Sequence, residues 1–122
     1  MGVVTLRGYV QHTTERVDID TALVANAELL WTLGTTPNRS AIILKMVVFN
    51  ATGGNDILHV GDTGVGIAFV ERFPDLYLAN GLNLFIADVN MPEYEFFNDI
   101  YVYADTVLAN DIQVIATVAE IF

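Results

Sequence analysis

Cysteine is absent from the 122-residue chain. Disulfides, thiolate nucleophiles and cysteine-held metals are thereby excluded. Positive charge is almost as scarce: five Lys and Arg residues stand against fifteen acids, for a formal charge of -10. Arg7, Arg16, Arg39 and Lys45 are scattered through the first half, and Arg72 stands alone after them. Phosphate-backbone recognition and anionic membrane attachment both depend on clustered basic residues, so neither nucleic acid nor membrane is an expected partner. No apolar run approaches the eighteen or so residues of a membrane-spanning helix, and MGVVTLRGYVQHTTERVD lacks the basic and apolar regions of a signal peptide. The chain therefore reads as soluble and unprocessed. Charge of either sign is low at 16%, against roughly a quarter in ordinary globular proteins, while 53% of residues are hydrophobic. Some faces that would ordinarily meet water are expected to meet protein instead.

What is present is β-rich. Short runs of β-branched and aromatic residues, separated by Gly, Asn, Asp and Pro, recur from end to end and predict an all-β chain: a single antiparallel β-sandwich, jelly-roll-like, over residues 1–122. Candidate strands are 3–10, 16–20, 28–33, 40–50, 56–60, 66–71, 75–78, 82–87, 99–104 and 111–121. Ile19 to Trp31 also fits a short helix, since Leu23, Ala27 and Leu30 are spaced near one helical turn. Asn80-Gly81, between LYL and LNLFI, is the strongest hairpin signal in the chain. Pro37, Pro74 and Pro92 all fall outside the proposed strands, where a missing amide hydrogen costs nothing.

Alternation assigns faces. Ile100, Val102 and Ala104 point one way, with Tyr101, Tyr103 and Asp105 opposite. In the last strand Ile112, Val114, Ala116 and Val118 form one row, against Gln113, Ile115, Thr117, Ala119 and Ile121. Strict alternation in AIILKMVVF sets Ala41, Ile43, Lys45, Val47 and Phe49 against Ile42, Leu44, Met46 and Val48. Strands apolar on both faces need cover on both, supplied either by long loops or by another subunit; assembly is the favoured reading.

The stretch HVGDTGVG, His59 to Gly66, contains the Asp62-Thr63-Gly64 tripeptide of aspartic proteases. Gly61 directly precedes it where those enzymes place an apolar strand, and the later apolar run followed by glycine is missing, so a protease is the remote alternative. A phosphate loop fails because no Lys or Arg adjoins these glycines. Asp56 and Asp62 are hard oxygen ligands and the only candidates for a structural cation, without EF-hand spacing. His59 with one carboxylate across a bend falls short of a zinc set and reads as a surface residue at a strand end. The simplest reading of HVGDTGVG is a glycine corner in which Asp62 caps an amide. His12-Thr13-Thr14-Glu15 places possible catalytic types together without triad geometry, and Glu93 with Glu95 shares one face of an extended segment without room for a sugar cleft. No catalytic residue and no cofactor is assigned.

Tyr94, Phe96, Phe97, Tyr101 and Tyr103 lie close together among Glu93, Glu95, Asp99 and Asp105. They fit a core at one end of the sandwich, a protein interface or a carbohydrate platform. With Ile115 and Ile121 from the two-faced last strand, they make the candidate interface set.

The order SAIILKMVVFNATGGNDILHVGDTG, then LYLANGLNLFIADVNMPEYEF, then NDIYVYADTVLANDIQVIATVAEIF, resembles small β-sandwich accessory proteins of virus and phage particles. These are the capsid-decoration or cement-like proteins. The resemblance covers residues 29–122 and lies in layout, with no diagnostic motif. It implies a non-enzymatic protein of the virion that forms a homo-oligomer such as a trimer, or that binds a capsid protein and stabilises the shell. The first 28 residues are either an arm onto a neighbour or the opening strands of the sandwich. A carbohydrate-binding module using exposed aromatics is the alternative.

Overall fold

A computed structural model describes residues 8–19, 27–33, 40–62, 70–86, 95–105 and 112–121. These form eleven strands and, among the described residues, no helix: β1 (Tyr9–Thr13), β2 (Val17–Ile19), β3 (Glu28–Trp31), β4 (Ser40–Asn50), β5 (Asp56–Asp62), β6 (Val70–Glu71), β7 (Leu76–Leu78), β8 (Gly81–Ile86), β9 (Glu95–Phe96), β10 (Ile100–Ala104) and β11 (Ile112–Ile121). Of the segment also open to a helical reading, residues 28–31 are strand and 20–26 lie outside the described residues.

Six strands make one sheet in the order β1-β11-β4-β8, with β2 also on β11 and β9 also on β4. Five make the other, β3-β10-β5-β6, with β7 also on β5. Every pairing is antiparallel. Three lanes are split strands: β1 with β2, β6 with β7, and β8 with β9 each share one partner strand. Numbering the eight lanes along the chain gives 1-8-3-6 for one sheet and 2-7-4-5 for the other, the double-sheet layout of a jelly roll.

Two of these interruptions, β1/β2 and β6/β7, have a visible local cause. Between β1 and β2 the backbone amide of Thr14 donates to the Ala116 carbonyl at 2.8 Å, while the Ala116 amide donates to the Thr14 hydroxyl at 2.9 Å. A side chain thus stands in for a ladder carbonyl. Between β6 and β7 the five steps from Glu71 to Leu76 face only three on β5, from Gly61 to Leu58. The amides of Arg72 and Phe73 both reach the Val60 carbonyl, at 2.9 and 3.3 Å, and Pro74 completes the bulge without an amide to satisfy.

The core lies between the sheets. From the six-stranded sheet Ala41, Ile43, Met46, Val48, Ile112, Val114, Ala116 and Val118 face inward; Leu58, Val60, Ile100, Val102 and Ala104 meet them from the other. Burying each large aliphatic side chain contributes about 1.5–3 kcal/mol. The inward rows of β10 and β11 are those read from alternation. In β4 strict alternation fails: the register with β11 slips, Thr117 pairing with Lys45 but Val118 with Ile43, so Leu44 is the extra residue of a bulge. Beyond it the parity inverts, and Ala41 and Ile43 join the core while Lys45, Val47 and Phe49 face outward.

The Asn80-Gly81 signal also resolves differently from the hairpin expected. Gly81 has the positive φ of 97° such turns require, yet β7 pairs with β5 and β8 with β4, so the turn is a corner between sheets. Asn50 ties it to the neighbouring corner at 51–55. Its Nδ2 donates to the carbonyls of Gly54 (2.9 Å) and Ala79 (3.2 Å), and its Oδ1 accepts from the amide (3.0 Å) and hydroxyl (2.7 Å) of Thr52.

Candidate assembly surface

Strand β8 reads LNLFI with leucines at alternate positions. The structure turns the leucines outward. Its register with β4 puts Phe85 opposite Met46 and Asn83 opposite Val48 on the core side, leaving Leu82, Leu84 and Ile86 on the outer face of the six-stranded sheet. Asn83 holds that register from within: its Oδ1 accepts the Ala79 amide at 2.9 Å and its Nδ2 donates to the Ala79 carbonyl at 2.9 Å. A slip of one residue would bury the leucines and break this latch.

Three lanes then align on the outer face. Ile115, Val47 and Leu84 form one row, Gln113, Phe49 and Leu82 a second, and Thr117, Lys45 and Ile86 a third. Ile86 is 75% exposed, Leu82 71%, Leu84 58%, Phe49 45% and Ile115 41%. Lys45 is the only charge in this grid, and no acid interrupts it. At the spacings of a β-sheet the grid spans roughly 10 Å by 14 Å between its outermost Cα positions. That is the size of an interface centre, which in a stable complex sits inside about 800 Å² per partner. The patch runs out to β8, which lies at an edge of the sheet.

The candidate interface residues separate. Ile115 lies at the middle of this face. Ile121 lies on the same sheet but is buried, and Phe96 is fully buried, its ring 5.6 Å from that of Phe73. Neither offers surface to a partner, which corrects their place in the set. Phe97 is exposed; Tyr101 and Tyr103 are half-buried on the outer face of the five-stranded sheet; Tyr94 lies outside the described residues. Among the described residues, the aromatic side chains therefore do not assemble as one platform. Phe49, Leu82, Leu84 and Ile86 were not in the set, because alternation shows that the leucines share a face without showing which face is inside.

His59 is a buried residue in the middle of β5, not a surface residue at a strand end. It points to the outer side of its sheet, where its Nδ1 lies 2.7 Å from Glu71 Oε1 and 3.4 Å from Asp75 Oδ1, and its Nε2 lies 2.5 Å from Asp105 Oδ1. Tyr103, its cross-strand partner, stacks on it with ring centroids 4.5 Å apart. Burial opposes charge on the ring, but the hydrogen bonds to Glu71 and Asp105 and the charges of both carboxylates outweigh it, so His59 titrates above the ordinary imidazole value. Burial, then the same acidic surroundings, raise the Tyr103 phenol above its usual range.

The first half of HVGDTGVG is strand, not corner. Asp62 ends β5 fully buried and accepts from Arg72 Nε at 3.1 Å; Thr63 to Gly66 lie outside the described residues. Asp56 begins the same strand and accepts the Ile57 amide. The two aspartates are about 20 Å apart at the usual strand rise, so they do not share a cation. A groove of about 570 Å³ runs between 14–18 and 28–32. Trp31 lines it, with its indole N–H committed to Glu120 at 3.0 Å and its ring 5.0 Å from that of His12.

No protein-family profile and no curated protein sequence matches the chain. Among solved structures it is similar to the giant freshwater prawn Macrobrachium rosenbergii extra small virus, determined by cryo-electron microscopy as a virus-like particle. Identity is 17%, coverage is 98% of this chain and 83% of that one, and the TM-score is 0.40. Infectious bursal disease virus, Gx strain, is similar at 16% identity over 97% of this chain and 31% of that one, with a TM-score of 0.38. Both are viral structures.

Proposed function

We propose that the protein is a non-enzymatic structural subunit that packs against further copies of itself through the outer face of its six-stranded sheet. In that role it builds, or decorates and stabilises, a larger protein shell such as a virion capsid. The observation that carries this reading is the apolar grid of Phe49, Leu82, Leu84, Ile86 and Ile115, open on a chain whose net charge is -10. The jelly roll agrees with the role, since viral capsid domains are among its common users, although lectin domains and cupins share it.

A second copy suits this face because the grid contains no acid. Two chains of like charge repel over most of their surfaces, and the contact between them is cheapest where carboxylates are missing. A carbohydrate platform would use free aromatic faces. Trp31 in the groove instead has its N–H committed to Glu120 and its ring beside His12.

Lys45 is the single lysine of the chain and stands in the grid. Acetylation of its amine, followed by mass spectrometry with the amino-terminal amine as internal reference, reports directly on whether the face is covered. The reading predicts that Lys45 becomes protected as concentration rises and assemblies form. Equal reactivity in dilute and assembled protein would place the contact elsewhere, and absence of assembly would reject the reading.

A further inference from the structure

The bulge between β6 and β7 aims side chains as well as ending a ladder. In an uninterrupted strand Glu71, Phe73 and Asp75 would share a face. Here Phe73 turns into the core, while Glu71 and Asp75 stay outside and converge on His59, which the strand between them and β10 presents. Gly61, the next residue on that face and the partner of Glu71, places no side chain between His59 and the end of the strand. Asp105, just past the end of β10, closes on the ring from the other side, its amide fixed to the Ile57 carbonyl at 3.1 Å.

We propose that His59, Glu71 and Asp75 form a site for a single divalent metal ion of zinc type, bound through the imidazole Nδ1 and one oxygen of each carboxylate. Their ligand atoms lie within 4.8 Å of one another. An ion held at about 2.0–2.2 Å from each would require separations near 3.5 Å; Nδ1 already lies 3.4 Å from the Asp75 oxygen, and Glu71, at 2.7 Å, has to draw back, an adjustment of about an ångström. Glu71 and Asp75 are 35% and 46% exposed, so their side chains are free to make it, while the imidazole is held in place.

The cluster is more than a group of acids. An imidazole that ligates a metal through one nitrogen nearly always gives its other N–H to a carboxylate, a backbone carbonyl or water, which fixes the tautomer and the ring plane. Asp105 occupies that position at 2.5 Å from Nε2. The stacked Tyr103 ring holds the plane from one side. Charge points the same way: three carboxylates surround one imidazole, and Arg72, the nearest basic residue in sequence, is turned to Asp62. One nitrogen with two oxygens matches zinc better than calcium or magnesium, which favour oxygen alone. Three protein ligands leave a fourth position for water.

The test uses the intact protein after treatment with a chelator and dialysis. Isothermal titration with zinc chloride is expected to show one ion per chain, with a rise of several degrees in Tm as the ion ties β5 to the β6–β7 bulge. Asp75→Asn and Glu71→Gln, at partly exposed positions, should each weaken binding at least 10-fold while leaving the metal-free Tm within a few degrees of the parent. Asp105→Asn, which removes only the outer carboxylate, should weaken it by about 10–100-fold. Cobalt(II) should give the visible absorption of a four-coordinate ion, lost in Asp75→Asn. Absence of zinc binding, zinc binding unchanged in both carboxylate variants, or tighter binding of calcium than zinc would each overturn the assignment.

Discussion

Single side chains decide where the sheets join. Asn50 is fully buried and makes four hydrogen bonds to the two corners that pass from one sheet to the other. Asn50→Ala removes all four and unties the two corners from each other, so it should lower stability by about 1–3 kcal/mol, read as a lower urea midpoint with unchanged slope. Phe96 and Phe97 offer a sharper contrast. Phe96→Ala should cost about 3–5 kcal/mol through the cavity it leaves, and Phe97→Ala under about 0.5 kcal/mol. Equal losses in chemical denaturation would contradict the placement of the two rings. In the sequence they are neighbours in one aromatic cluster, and only their pairing and burial separate them. His59 was hidden for a related reason: its partners Glu71, Asp75 and Asp105 lie 12 to 46 residues away, and no local pattern announces them.

At the scale of strands, period-2 alternation is legible where the ladder is regular. The rows of β10 and β11 face as read, because nothing interrupts their parity on the core side. In β4 one extra residue at Leu44 inverts the parity, and the sequence AIILKMVVF carries no glycine or proline to mark it. The Asn80-Gly81 turn was visible as a turn but not as a corner, since its role depends on the strands that β7 and β8 find elsewhere. The turn itself is demanding: Gly81→Ala places a side chain at φ 97° and should cost about 1–2 kcal/mol, although nothing lies within 4 Å of the added Cβ. Gly54→Ala, at a glycine without positive φ, should cost much less in the same thermal melts.

The whole molecule combines a high net negative charge with an apolar face, and the two oppose each other in solution. Added salt screens the repulsion over a Debye length of about 8 Å near physiological ionic strength, so association should strengthen as salt rises. The low charged fraction already pointed to a covered face; its location did not follow, because it required the inward register of Asn83 and Phe85. The most direct measurement is light scattering coupled to size exclusion, over a concentration series, comparing the protein with Leu84→Asp. Leu84 is exposed in the single chain, so the substitution should leave the urea midpoint of the dilute monomer nearly unchanged. The account predicts a mass that rises in multiples of 13.4 kDa for the parent and stays at 13.4 kDa for the variant. A parent that remains at 13.4 kDa at every concentration, or a variant that assembles as the parent does, would contradict it.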